Sequence, residues 1–199
     1  MRFNCRKWPL LLIVSIAAGL GAADTFQAKP VDQYPHRQTS EKVTIAADQL
    51  VTDEQAKAAF GKLNPWRYGI LPVLVVIQND SPNALRVERI HFVYVLPDRT
   101  RIDATPAADV KYINGARQPK GIPGPMGVHL GGSKNPLAEW EVEGRAFAAK
   151  MIPPGQAASG FVYFQAPLNS DAASLYISGL ENAVTGKELF YFEIPLSGR

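Results

Sequence analysis

ILPVLVVIQ, residues 70–78, is a run of Leu and Val that predicts a buried β-strand. Pro72 lies inside the run, so we expect the strand to begin just after it or its first residues to lie at a sheet edge. FVYF at 161–164 and LFYF at 189–192 are also apolar at consecutive positions. We therefore expect both faces of these two later strands to be covered. We expect a helix carrying Trp140 to cover the outer face of the sheet, with an exposed partner-binding patch as the alternative.

Shorter strands surround this run on both sides. The turn-forming sequence NDSPN at 79–83 ends it, and polar or Gly/Pro-containing turns separate the later segments. We predict further strands at residues 43–46, 85–88, 90–96, 100–103, 159–165, 174–178 and 188–195. About eight short strands with turns between them indicate a mainly β protein, an antiparallel β-sandwich.

One helix is predicted before the central strand. Thr52 followed by Gln55 is a capping box, in which the hydroxyl and the amide satisfy free backbone N–H groups. The helix should run to about Phe60, where Gly61 can supply the left-handed stop.

Residues 105–151 form a predicted insertion of helices and a loop. Thr105 and Pro106 indicate the start of a short helix through Tyr112, and the run 121–132 is too rich in Gly and Pro to pack regularly. A second helix is predicted over 137–150. Its apolar stripe would consist of Leu137, Trp140, Gly144, Phe147 and Met151.

The first 23 residues have the pattern of an export signal. Arg2, Arg6 and Lys7 precede an apolar core at 10–20, and small residues follow it at 21–23. We therefore predict export to the periplasm or the extracellular space. An uncleaved segment that anchors the domain to a membrane is the alternative. Residues 24–42 are predicted to be a flexible leader, and residues 43–199 the folded β domain.

Removal of this segment changes the charge of the protein. The whole chain carries 21 Lys and Arg against 18 Asp and Glu, and the three basic residues lost leave a formally neutral chain. We expect no nucleic-acid binding, because no excess positive charge remains to release counterions. The single cysteine, Cys5, is lost as well, so the mature chain has no disulfide. The apolar core at 10–20 is shorter than the roughly 20 residues of a transmembrane helix. We expect no transmembrane helix in the mature chain.

Three stretches carry a resemblance to a known class of protein. The sequence 71–81 with 84–87, the sequence 153–155 with 159–164, and the ending 186–195 resemble the hairpins of immunoglobulin-like accessory domains in exported bacterial proteins. The chain is similar to uncharacterised envelope proteins of this kind over most of residues 43–199. The resemblance implies an immunoglobulin-like β-sandwich in the cell envelope, and it implies no active-site residues.

The sequence favours a non-catalytic protein. Cysteine chemistry is lost with Cys5, and no Gly-x-Ser-x-Gly motif occurs. His36, His91 and His129 are isolated, so we predict no metal site and no cofactor. The alternative is a weak hydrolase that uses His91 or the carboxylates Glu139 and Glu143, which lie one helical turn apart.

The predicted function is binding of a protein or polymer of the cell envelope. Candidate contacts are the sheet edges, the Gly/Pro loop at 115–133, two aromatic residues and a basic cluster around the loop. The candidate residues are Trp66, Tyr68, Lys111, Arg117, Lys120 and Lys134. A carbohydrate-binding module is a further alternative, in which Trp66, Tyr68 or Trp140 stacks on sugar rings.

Overall fold

The computed structural model describes residues 26–113, 135, 137, 140–167 and 172–196. Eleven strands and three short α-helices form the described part of the chain. The strands are β1 Arg37–Ser40, β2 Val43–Gln49, β3 Leu71–Asn79, β4 Leu85–Arg86, β5 His91–Val95, β6 Arg101–Asp103, β7 Met151–Ile152, β8 Gln156–Phe164, β9 Ala173–Ser178, β10 Glu181–Asn182 and β11 Phe192–Leu196. The helices are α1 Asp53–Phe60, α2 Ala107–Val110 and α3 Trp140–Gly144, and 3-10 turns lie at Val31–Gln33 and Pro65–Tyr68.

The strands form three antiparallel sheets. Sheet I has the order β1-β2-β3-β8, sheet II has the order β11-β9-β5-β6, and the small sheet III has the order β10-β4-β7. The prediction of a mainly antiparallel β fold is confirmed. No helix within the described ranges has the length and apolar character needed to cross a bilayer.

The main core lies between sheets I and II. Val73, Val75 and Ile77 of β3 belong to the same buried cluster as Leu175 and Ile177 of β9. Burial of side chains of this size removes a large apolar area from water, and each contributes about 1.5–3 kcal/mol. The two sheets are therefore held face to face by their own alternating side chains.

A second core covers the opposite face of sheet I. Leu74 of β3 and Phe161 of β8 pack there with Phe60 of α1 and Val142 of α3. The Phe60 and Phe161 rings lie 4.8 Å apart, and the Tyr163 hydroxyl donates a hydrogen bond to the Val142 carbonyl at 2.7 Å. The expectation that residues 161–164 are covered on both faces is confirmed, and residues 71–77 of β3 are buried on both faces as well. The covering layer consists of short helices and part of the N-terminal segment.

Pro72 lies within β3 and not before it. β3 begins at Leu71, and Pro72 is in register with Tyr163 of β8. The Pro72 carbonyl accepts a hydrogen bond from Leu50, just past the end of β2. Since the N and C=O of one residue face the same neighbour, the missing N–H faces the side where β2 has ended, and the pairing with β8 is intact.

The capping box of α1 is confirmed. The Thr52 hydroxyl accepts from the Gln55 N–H at 3.2 Å, and the Gln55 side chain accepts from the Thr52 N–H at 3.1 Å. Gly61 follows with φ of 64°, a conformation that glycine adopts without a Cβ penalty.

Part of the predicted flexible leader is ordered. β1 pairs with β2 along its whole length, and the Tyr34 side chain is buried in the second core. The Phe26 ring lies 5.2 Å from that of Phe161. Two kinds of contact order this segment: main-chain hydrogen bonds of β1 and a few separate aromatic side chains. Neither produces an apolar periodicity in the sequence, so the pattern did not predict them.

The predicted helices of the insertion are shorter than expected. α2 begins after Pro106 and not after Thr105, and α3 ends at Gly144. Beyond α3 the chain runs beside β8, where the Phe161 N–H donates to the Arg145 carbonyl at 2.8 Å. The Phe147 ring packs edge-on to Phe92 at 5.6 Å, in the main core. The predicted stripe over 137–150 is wrong, because hydrogen bonds to a distant strand replace the helical ones.

The predicted strand at 188–195 begins later than expected, at Phe192. Phe190 and Tyr191 precede it and are exposed. The expectation that LFYF at 189–192 is covered on both faces is therefore wrong. The Leu189 N–H donates to the Leu180 carbonyl at 2.8 Å. This bond holds residue 189 outside the pairing of β11 with β9, which begins at Phe192.

Candidate functional site

The predicted aromatic contacts Trp66 and Tyr68 lie on the helical side of sheet I. Both belong to the 3-10 turn after α1, and both rings are half-buried. The Trp66 indole N–H is buried without a hydrogen-bond acceptor. Neither ring is presented as an open platform. The side chain of Trp140, the third ring predicted for sugar stacking, is outside what the structure describes.

Lys111 is the one member of the predicted basic cluster that lies in the described part of the chain. Its ammonium group is 3.1 Å from the Glu143 carboxylate and lies near the Tyr112 ring. The hydrogen bond and charge of Glu143 raise the pKa of Lys111. The positive charge of Lys111 and the negative charge of Glu143 are therefore paired with each other. Arg117, Lys120, Lys134, Glu139 and the loop 115–133 lie outside the described residues.

The predicted histidines do not converge. His91 is exposed on β5, on the solvent side of sheet II, while His36 is half-buried beside β2. His129 lies outside the described residues. Among the residues that the structure does describe, no group of three His, Cys, Asp or Glu side chains is arranged to hold a metal ion.

The edge of sheet I at β8 is covered by the chain itself. The Thr105 N–H donates to the Tyr163 carbonyl at 2.8 Å, and the Phe147 N–H donates to the Phe161 carbonyl at 2.9 Å. An incoming strand would have to displace these bonds. This edge is therefore not free for strand addition.

The edge of sheet II at β11 is blocked in a different way. The Glu193 N–H faces away from β9 and donates to the Gln38 side chain of β1 at 2.7 Å. Pro195, two residues later, occupies the same side of the strand and has no N–H to offer. β6 at the other edge has only three residues, two of them charged. The sheet edges predicted as contacts are thus short or protected.

An exposed aromatic surface lies on the outer face of sheet II. Phe190 and Tyr191 are 72% and 53% exposed. The Tyr191 ring stacks on Tyr176 of β9, with ring centres 5.1 Å apart, and the Arg101 guanidinium lies 5.5 Å from the Tyr176 ring centre. Tyr176 points outward because its neighbours on β9 point into the main core. We call Arg101, Tyr176, Phe190 and Tyr191 the aromatic ridge.

Sequence reasoning missed the aromatic ridge. It treated LFYF at 189–192 as one covered strand. A signal was present, because Glu188 before the run and Glu193 after it place charges at both ends of a four-residue apolar segment. Charges at both ends of so short an apolar segment are as compatible with an exposed segment as with a covered strand.

Two clefts lie on the helical side and near the N-terminal segment. The larger, about 590 Å³, is lined by residues of the 26–36 segment, β2 and α1. Two of its polar side chains are already engaged: Gln49 bonds to Tyr94 and Leu196, and Gln55 belongs to the capping box. Burial raises the pKa of Tyr34, which lines the same cleft.

The smaller cleft, about 380 Å³, lies between the end of α1, the 3-10 turn and α3. We call it the polar cleft. It brings predicted residue Tyr68 together with Glu141 of α3. Its lining residues are Phe60, Lys62, Leu63, Asn64, Arg67, Tyr68 and Glu141.

Comparisons with known proteins give limited guidance. No family model matches the sequence, and no curated protein matches it. A Bacillus subtilis protein provisionally assigned as a lipoprotein is similar in structure, with a TM-score of 0.41 and 10% identity over 81% of this chain and 38% of that one. This chain thus spans well under two thirds of that protein.

Two further solved structures are similar at the same low level. A functionally unknown protein from Listeria monocytogenes has a TM-score of 0.35 and 13% identity, and each chain is covered to 82%. A structural-genomics target has a TM-score of 0.34 and 10% identity, over 79% of this chain and 87% of that one. Likeness at this level assigns neither a family nor a function.

Proposed function

We propose that this chain is an exported, non-catalytic domain that binds a protein of the cell envelope through the aromatic ridge. Residues 1–23 act as the export signal in this proposal, and sheets I and II form an immunoglobulin-like β-sandwich. The observation that carries the proposal is the exposure of Tyr191, which stacks on Tyr176 beside Arg101, and of its chain neighbour Phe190.

The composition of the aromatic ridge supports a protein partner. Tyr, Phe and Arg are enriched at the centres of protein interfaces, where a few such side chains contribute most of the binding free energy. The Tyr176 ring already contacts Arg101 and Tyr191, which leaves little free ring surface for a sugar. The ridge therefore favours a protein over the predicted polymer alternative.

The protected edges support binding by a face of the sheet. β8 is covered by residues 105 and 145–147, and β11 is blocked by Gln38 and Pro195. A partner that added a strand would find few free main-chain groups. Side-chain contacts on the solvent face of sheet II require no such rearrangement.

The positions of the candidate acid–base residues support a non-catalytic role. Glu143 is held by Lys111 at 3.1 Å, and His91 is exposed on a flat sheet face and not in a cleft. General acid–base catalysis needs groups within hydrogen-bond reach of one bound substrate. These residues lie on different elements and do not face one another across a cavity.

Variants of the ridge test the proposal. The tagged mature chain is crosslinked to an envelope fraction of the native cells, and Kd is measured with the purified partner. Phe190→Ser combined with Tyr191→Ser should weaken binding at least about tenfold, because interface aromatics contribute about 2 kcal/mol or more each. Tyr112→Ser is the control, since Tyr112 is 61% exposed on the helical side and should leave Kd unchanged.

Two outcomes would overturn the proposal. One is binding that is lost in Tyr112→Ser and kept in the double variant, which would place the contact on the helical side. The other is a homodimer of the purified chain that the double variant abolishes, because the ridge would then be occupied by a second copy of the chain.

A further inference from the structure

Two consecutive residues with positive φ form the turn between β1 and β2. Ser40 pairs with Val43, so Glu41 and Lys42 alone connect the two strands. Their φ angles are 49° and 63°, in the left-handed region. A two-residue turn of this kind is type I′, which favours Asn and Gly because most other residues meet steric hindrance there. The glutamate and the lysine therefore strain this connection.

The turn joins the rest of the domain to residues 26–40, which we call the N-terminal arm. β1 is the edge strand of sheet I and pairs with β2 at four positions. Tyr34 is buried in the second core, and the Gln38 side chain accepts a hydrogen bond from the Glu193 N–H at 2.7 Å. None of these contacts requires the turn to be closed. The arm of a second copy of the chain can therefore make the same contacts.

The strand register makes the two turn residues complementary when the turn is extended. Each β1–β2 pair is centred on the peptide bond between Glu41 and Lys42. Two extended copies that pair antiparallel in this register place Glu41 of one copy opposite Lys42 of the other, and the symmetry produces this pair twice. Facing residues of opposite charge stabilise antiparallel strands. The same two side chains are thus unfavourable in the closed turn and favourable in the extended one.

The contacts around the turn are compatible with an extended chain. The Lys42 carbonyl accepts from the Asp80 N–H at 2.9 Å, which continues the β2–β3 pairing beyond Val43. The Glu41 carboxylate lies 3.4 Å from the Lys187 ammonium group, and both side chains are exposed to solvent. Because exposed ion pairs contribute little to stability, this pair adds little that would hold the turn closed.

We propose that two copies of this chain exchange their N-terminal arms and form a dimer. The turn opens into an extended hinge, β1 of each copy pairs with β2 of the other, and the strain of Glu41 and Lys42 is released. Short connections under strain favour this kind of exchange. The arm of the same chain competes at an effective concentration of about 1 mM, so exchange occurs when the chain folds at a comparable concentration. The exchange does not involve the aromatic ridge, and it does not depend on the proposed function.

Refolding at two concentrations tests the exchange. The purified mature chain is unfolded in urea, refolded at about 5 μM or about 1 mM, and separated by size-exclusion chromatography. We expect monomer from the dilute sample and a dimer from the concentrated one. The dimer should persist on dilution, because its separation requires both arms to unfold. Absence of a dimer from the concentrated sample would overturn the proposal.

Variants of the turn test the cause. Glu41→Asn combined with Lys42→Gly provides a preferred type I′ sequence and should lower the dimer fraction at least about fivefold. Arg99→Gly is the control, because Arg99 has a φ of 67° in the turn between β5 and β6, and its replacement should leave the dimer fraction unchanged. Deletion of both turn residues prevents closure and should give the dimer even at about 5 μM. An unchanged dimer fraction in the first variant would contradict the assigned cause.

A disulfide identifies which copy supplies the arm. The Thr39 and Thr44 hydroxyls lie 2.9 Å apart across β1 and β2, and the mature chain has no other cysteine because Cys5 lies in the export segment. After oxidation, the dimer of Thr39→Cys combined with Thr44→Cys should run as a covalent dimer on a denaturing gel, and the monomer as a single chain. A dimer whose disulfides stay within single chains would overturn the proposal, because another surface would then join the copies.

Discussion

At the scale of single residues, Gly160 shows why a small residue is required inside a strand. It lies in β8, and a Cβ at this position would overlap the backbone of Ala146 and Phe147, which cross it. We predict that Gly160→Ala lowers the free energy of unfolding by about 2–4 kcal/mol, since backbone atoms must move to admit the methyl group. Urea denaturation measures the change. Ser159→Ala, at the exposed neighbour, should stay within about 0.5 kcal/mol.

The Tyr163 phenol makes stability depend on alkaline pH. Burial raises its pKa above the ordinary value of 10.0, and nearby Arg145 opposes this only in part. The unfolded chain therefore loses this proton first, so the contribution is complete below about pH 10 and is lost as the pH rises further. Tyr163→Phe should cost about 1 kcal/mol at neutral pH, through the lost bond to Val142, and should flatten the alkaline decline.

Urea unfolding curves at neutral pH and near pH 10.5 measure this difference. Tyr112→Phe is the matched control, because Tyr112 is exposed and its removal should leave the decline unchanged. A decline in Tyr163→Phe as steep as that of the unmodified chain would contradict the assignment.

At the scale of elements, the sequence predicted α1 correctly but not the helix over 137–150, which depends on a distant strand. The capping box at Thr52 and Gln55 predicted α1, since both partners lie within one turn. The helix predicted over 137–150 ends at Gly144, because Arg145 and Phe147 bond to Phe161 of β8 instead. The spacing of apolar residues does not show that bonds to β8 will replace the helical bonds. The polar cleft was missed for the same reason, since Asn64 and Glu141 meet only in the folded chain.

The blocked edge of β11 gives a prediction of its own. Gln38→Ala combined with Pro195→Thr restores two unpaired N–H groups on one side of this strand. We expect the variant to self-associate at concentrations where the unmodified chain is monomeric, as measured by sedimentation velocity. Pro97→Thr, in the exposed turn after β5, is the control and should not change the sedimentation coefficient. Equal behaviour of all three proteins would show that the edge is protected by other means.

At the scale of the whole molecule, the described residues cover sheet I on both faces and sheet II on one. The apolar run at 161–164 predicted that sheet I is covered on both faces, because apolar and polar residues do not alternate in it. The exposed face of sheet II could not be predicted. LFYF at 189–192 is as apolar as the covered run at 161–164, but its first three residues lie outside β11, where Leu189 bonds to Leu180 instead. The exposed aromatic ridge is the consequence, and it is the basis of the proposed partner binding.

Photocrosslinking in the native cells tests that binding most directly. A photoreactive phenylalanine analogue replaces Tyr191 in one variant and Tyr112 in another, both of which are exposed. We predict that the analogue at position 191 captures one envelope protein and that the analogue at position 112 does not. Capture from position 112 alone, equal capture from both positions, or capture of a second copy of this chain at position 191 would contradict the account.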